Sequence, residues 1–88
     1  MMYYNYVLKS LKDGNYYVGY TKDLKARLLE HRTGRVKSTK QRRPFKIVYY
    51  EVCFNHESAV KRERYLKSTY GHRYLKNRLG DNPEGISF

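Results

Sequence analysis

The dipeptide Asp13-Gly14, set between two tyrosine-rich runs, commits the start of this chain to a β-hairpin. Tyr3 to Leu11 (YYNYVLKSL) is strand-like, and Tyr16 to Tyr20 (YYVGY) is its returning partner. Asp-Gly is a favoured connection because its backbone tolerates the positive φ angles that match the strands' twist. A hairpin means antiparallel pairing, so whatever follows must build on an antiparallel sheet. Gly19 lies inside the returning strand with no side chain to pack, which marks a bulge or a close approach by another group.

Beyond the hairpin, the pattern changes period. Thr21 is placed to cap a helix from Lys22 to Thr33, with Asp23 in its first turn and Gly34 as its stop. Leu24 and Leu28 form the inner seam of that helix, and Arg27 and His31, four residues apart, project together beside it. Residues 35–43 show no periodicity and are rich in Lys and Arg, which predicts an exposed basic loop. Pro44 precedes a β-rich run from Phe45 to Phe54, and Asn55 then caps a helix reaching Tyr70. Gly71 interrupts it before a short further helix, His72 to Leu79. The order is β-β-α-β-α-α: an α+β fold with a small three-stranded, mostly antiparallel sheet flanked by helices. Residues 1–79 make one domain, and residues 80–88, with Gly80, Pro83 and Gly85, read as an irregular C-terminal tail.

One residue breaks the pattern of the Glu57–Tyr70 helix. Ala59, Glu63, Leu66 and Tyr70 fall on a single stripe, and such stripes face the core. Glu63 therefore points where an ionised carboxylate is costly unless a cation meets it. That cation is either a neighbouring arginine or a bound metal ion.

Charge indicates the partner. The chain of 88 residues carries a net charge of +11, of which Lys22–Lys46 holds +8 and Lys61–Arg78 holds +6, while residues 47–60 and 79–88 are net acidic. Clustered positive charge points to a polyanion, most often nucleic acid. Lys37, Lys40, Arg42 and Arg43 in the basic loop are the candidate phosphate contacts. Eleven tyrosines and no tryptophan supply rings that also carry hydroxyls. Cys53 stands alone, so no intrachain disulfide forms, and the chain reads as cytosolic. No apolar run approaches membrane-spanning length, and no signal-peptide pattern is present. There is no CxxC, HExxH or GxxxxGK[ST] run, so structural zinc and phosphate-loop chemistry lack support.

Tyr6, Tyr17, Arg27, His31 and Glu63 make a candidate constellation. Arginine matches phosphate oxygens with a permanently charged fork. Histidine moves a proton or orients a water, and a glutamate-held divalent ion polarises a phosphodiester. These residues also carry a resemblance. Tyr4-Asn5-Tyr6, Tyr17-Val18-Gly19, the helical run Asp23–Leu28 (DLKARL), Lys37–Tyr50 and Glu57–Ser68 together resemble the GIY-YIG nuclease superfamily, in particular its small, single-domain, excinuclease-like bacterial members. The resemblance spans about residues 3–76. It departs from the family in lacking the first motif's glycine and in carrying Tyr20 where some repair nucleases have lysine.

The resemblance implies a metal-dependent endonuclease acting on DNA or a related nucleic acid, with Mg²⁺ or Mn²⁺ on Glu63 and Tyr6, Tyr17, Arg27 and His31 as the catalytic set. The alternative is a nucleic-acid-binding module that keeps the basic, tyrosine-rich surface and has little turnover. An inward carboxylate favours the enzyme, because a pure binder gains nothing from a group that repels phosphate.

Overall fold

The computed structural model describes residues 1–88 and contains the expected hairpin. Strand β1 (Tyr3–Ser10) pairs antiparallel with β2 (Tyr16–Thr21), with Tyr6 opposite Gly19 and Leu8 opposite Tyr17. Gly14 takes a φ of 74° in the turn, and the Asp13 carboxylate accepts from the Asn15 amide at 2.8 Å. Strand β3 (Phe45–Cys53) pairs antiparallel on the other side of β1, with a shift of register between Val7 and Leu8. The three-stranded sheet of the sequence reading gains a fourth, two-residue strand, β4 (Ile86–Ser87), against Lys46 and Ile47. Part of the 80–88 segment is thus regular: Gly85 passes so close to β3 that an added Cβ would sit 2.2 Å from the Ile47 carbonyl oxygen. The sheet order β2-β1-β3-β4 leaves β2 as an exposed edge.

Alternation along the strands gives two faces. Tyr6, Leu8 and Phe45 share one face, covered by Leu24 and Leu28 of α1 (Leu24–Arg32) and by Phe88. Val7, Val18 and Val48 share the other, covered by Leu66 of α2 (His56–Lys67) and Leu75 of α3 (Thr69–Leu79). Leu66 and Leu75 are fully buried, and each contributes roughly 1.5–3 kcal/mol. Helices of nine to twelve residues are marginal alone, so this packing is what holds them.

Four local expectations change. Helix α1 is capped by Asp23, whose carboxylate accepts from the Ala26 amide at 3.1 Å, because Thr21 still belongs to β2. The Glu57–Tyr70 helix ends early: Ser68 is extended, donates to the Tyr65 carbonyl at 2.6 Å and caps α3 through the Gly71 amide at 3.1 Å. Tyr70 consequently leaves the inward stripe and is exposed. Gly71 does not interrupt a helix; it lies in the first turn of α3, where a Cβ would meet the Tyr65 carbonyl oxygen at 2.0 Å. Residues 35–43 are basic but anchored, with Val36 and Thr39 buried and a single 3₁₀ turn at Lys40–Arg42. Ser10 donates to the Arg42 carbonyl at 2.6 Å, and Arg42 pairs with Asp13 at 2.7 Å, tying this segment to the hairpin.

Candidate active site

Tyr6 starts from the middle of β1 and crosses the edge strand. Its side chain is fully buried and passes over Gly19, where a Cβ would lie 2.6 Å from the hydroxyl. The empty position of Gly19 is therefore filled by tyrosine. Tyr6 Oη meets His31 Nε2 at 2.8 Å, and His31 Nδ1 meets Thr39 Oγ1 at 2.8 Å. Thr39 in turn donates to the Val36 carbonyl at 3.4 Å. We assign the tautomers from this chain: a hydroxyl that donates to a carbonyl accepts from Nδ1–H, which leaves Nε2 as the acceptor for the Tyr6 proton. No buried side-chain polar atom lacks a partner.

Tyr17 projects to the same side of the sheet as Tyr6, as two-residue alternation requires, and its ring meets His31 edge-on at 5.2 Å. The Tyr6 and Tyr17 rings are 6.5 Å apart. Arg27, one turn before His31 on α1, donates to Glu30 at 3.0 Å. Its guanidinium also lies close enough to the Tyr6 hydroxyl to act on its ionisation.

Burial pushes the Tyr6 phenol up to about 12; Arg27 opposes the shift, while the charges of Tyr17 and Glu63 add to it. Burial pushes His31 down to about 4, and the Arg27 charge helps, so the imidazole is neutral at physiological pH. Burial disfavours the Arg27 charge, but bonding to Glu30 and Tyr6 more than offsets this and holds its pKa above the ordinary arginine value.

Glu63 approaches from the opposite helix layer. Its helix packs on the Val7 face of the sheet, and its charge makes a small contribution to raising the Tyr6 pKa. The arginine partner entertained for it is absent. Glu63 meets Lys67 at 3.7 Å, and its side chain is 24% exposed. The neighbouring arginine, Arg62, is instead held by Glu51 at 2.8 Å and packs against the Tyr65 and Tyr74 rings, locking α2 and α3 to β3. Tyr6, Tyr17, Arg27 and His31 are thus in mutual contact or close approach, while Glu63 makes no hydrogen bond or ion pair to any of them and has Lys67 as its partner.

Three residues of this arrangement escaped the sequence reading. Asn5 is fully buried and donates to the Ala59 carbonyl at 3.0 Å, fixing α2 one turn before Glu63. A buried-face polar residue between Tyr3 and Val7 was the available signal. Glu30 lies three residues after Arg27, a readable helical pairing. Thr39 sits in an aperiodic segment, and nothing local marks it. Of the four predicted phosphate contacts, Lys37 and Lys40 are exposed, Arg42 is engaged by Asp13, and Arg43 donates to the Lys40 and Arg32 carbonyls at 2.9 and 3.1 Å. No cluster of three or more His, Cys, Asp or Glu side chains is placed to hold a metal ion, so a cation here would depend on Glu63 and on oxygens from elsewhere.

A hairpin that buries one tyrosine over the glycine of its own partner strand, with an arginine helix on one side and a glutamate helix on the other, defines a recognisable class. The chain belongs to the GIY-YIG family, whose catalytic-domain profile matches residues 2–78. More narrowly, its relatives include small bacterial UPF0213 proteins. One from Staphylococcus saprophyticus is 40% identical over 75 residues, covering 84% of this chain and 90% of the relative. Another, from Staphylococcus aureus, is 42% identical over 64 residues, covering 72% and 77%. The solution NMR structure of a UPF0213 protein from Bacillus halodurans superimposes with a TM-score of 0.56 at 33% identity, covering 92% of this chain and 88% of that one. The α+β fold is shared with that relative.

Proposed function

We propose that the chain is a metal-dependent endonuclease that hydrolyses phosphodiester bonds of DNA or a related nucleic acid. The observation that carries this reading is the hydrogen-bonded line from Tyr6 through His31 to Thr39, set beside a fully charged Arg27. Membership of a family defined by a catalytic domain supports it.

With its pKa near 12, Tyr6 does not store a phenolate at neutral pH. A neutral His31 holds the Tyr6 hydroxyl proton in a hydrogen bond at Nε2, which turns a phenol oxygen lone pair toward the attacking water. As water attacks phosphorus, its proton passes to Tyr6 Oη while the Tyr6 proton passes to His31 Nε2; the phosphorus–oxygen bond to the leaving group breaks, and the weakly basic His31 releases its proton through solvent to the departing oxygen. Arg27 sets its remaining N–H groups against the non-bridging oxygens and offsets charge that grows in the transition state. The Tyr17 hydroxyl assists at the same oxygens or holds the water.

Glu63 would hold the cation. Its carboxylate has only a long lysine contact and is part open to solvent, which suits a hard ion that takes its other oxygens from water and phosphate. Such an ion, Mg²⁺ or Mn²⁺, would supply charge stabilisation to the phosphodiester. Phosphate contacts carry no sequence information, so the enzyme discriminates its substrates by shape.

The test is a panel of labelled DNA and RNA substrates (single strand, duplex, flap and junction) incubated with Mg²⁺, Mn²⁺ or chelator. Cleavage that requires the divalent ion and is lost in Glu63→Gln is expected. Equal cleavage by wild type and Glu63→Gln would remove this site from the reaction.

A further inference from the structure

Four exposed cations, Lys12, Arg32, Lys40 and Arg43, line an open surface pocket of about 360 Å³ that Phe45 and Phe88 also border. None of them is paired with a carboxylate, although six other ion pairs exist in the molecule. Cations gathered round one concavity without a counter-charge raise the local positive potential and favour an anion there.

The pocket is built rather than accidental. Arg43 is clamped by two backbone carbonyls, of Lys40 and Arg32, which use two of the five guanidinium N–H groups and leave three. Its guanidinium lies over Gly34, where a Cβ would sit 2.9 Å from the central carbon. Gly34 also takes a φ of 78°, so glycine serves there twice: for the helix exit and for the close approach. Lys12, from the hairpin turn, donates to the Gln41 carbonyl at 3.0 Å and brings a third segment to the pocket. An arginine fixed by carbonyls with its remaining donors unspent is pre-organised for a phosphate.

We propose that this pocket is a second phosphate subsite, which takes a backbone phosphate of the bound nucleic acid away from the scissile bond. The choice of a nucleic-acid phosphate rests on the nuclease reading above. Chain connectivity links the two sites. Arg32 directly follows His31, and Lys40 directly follows Thr39, so the two walls of the pocket continue from the pair that orients Tyr6. A phosphate drawn between Arg32 and Lys40 would hold together the segments that make the His31–Thr39 bond.

The test uses full-length protein carrying Glu63→Gln, so that binding is read without cleavage. Fluorescence anisotropy with a duplex oligonucleotide gives the slope of log affinity against log salt, with and without Lys12→Ala, Arg32→Ala and Lys40→Ala together. The slope should flatten by ~1 unit, the value of one phosphate contact on duplex DNA. Amide spectra should show Gly34 and Arg43 shifting with the oligonucleotide in the parent and not in the triple variant, with other resonances in place to establish that the fold survives. An unchanged slope with no shift overturns the subsite. A shift with inorganic phosphate or polyglutamate, and none with DNA, overturns its assignment to a nucleic-acid backbone. The two readings fail separately: a flattened slope in a protein whose wild type cleaves nothing keeps the pocket and removes the nuclease, and an unchanged slope in an active nuclease does the reverse.

Discussion

Gly19 and Tyr6 are one structural decision made at two positions. The tyrosine hydroxyl reaches its place only because the residue opposite on β2 has no side chain. Gly19→Ala would put a methyl 2.6 Å from that hydroxyl, and Tyr6, buried and bonded to His31, has to move. A displacement of about 1 Å in a reacting group lowers turnover roughly 10²-fold. We expect that loss in kcat with an unchanged circular dichroism spectrum; normal turnover would mean that Tyr6 is not the group that receives the proton. Arg27→Ala should lower turnover by about 10²–10³-fold with a smaller change in nucleic-acid affinity, since its charge matters most as the transition state forms. A variant that loses affinity and keeps its maximal rate would reassign Arg27 to substrate binding. At this scale the sequence was informative where periodicity reached. Gly19 stood out as a close approach, and Arg27 with His31 as one helix face. Thr39 did not, because a buried residue in an aperiodic segment has its environment set by a contact eight residues back along the chain.

The elements explain why Glu63 stands apart from the other four residues: it belongs to a different layer. Helix α1 covers one face of the sheet and α2 the other, and the two layers can meet only round an edge of the sheet. A site shared between two layers of a small fold has to sit at such an edge. The helix containing Glu63 was legible from its stripe, but its end was not. The inward spacing of Ala59, Glu63 and Leu66 runs on numerically to Tyr70, and nothing in that count reveals that Ser68 turns the chain. The signal was chemical: a serine three residues before Gly71 is a cap candidate. Ser68→Ala should cost about 1 kcal/mol in urea unfolding through loss of that cap. Gly71→Ala should cost more, as overpacking does, because the obstructing atoms belong to the backbone of α2 and cannot swing aside. If Gly71→Ala is as stable as wild type, the α2–α3 crossing is looser than this packing requires.

For the whole molecule, the uneven charge and the buried histidine pull on stability in different ways. The sequence disclosed the first: +11 on 88 residues, concentrated in two stretches, gives the chain a strongly positive field. It did not disclose that several of these cations are already spent inside the fold, Arg42 on Asp13 and Arg62 on Glu51, because those pairings join residues 29 and 11 positions apart. His31 has a separate effect. Its pKa is lowered from the ordinary 6.5 to about 4 in the folded chain, so between these values the unfolded chain binds a proton that the folded one refuses. The sign follows: stability from this group is fully present above pH 6.5, declines as pH falls through the window, and is lost by about pH 4. The size is up to about 3 kcal/mol at the acid end. Asp13, held down to about 2 by its Arg42 hydrogen bond, loses its contribution at more acid pH, below this window, and the difference between wild type and His31→Gln isolates the histidine. Urea unfolding at a series of pH values should show the wild type losing stability on that descent with the variant's curve flatter by this amount. Parallel curves would mean that folding leaves the His31 pKa at its ordinary 6.5, so that the imidazole takes up a proton below that pH and loses there the Nε2 lone pair that would accept the Tyr6 proton.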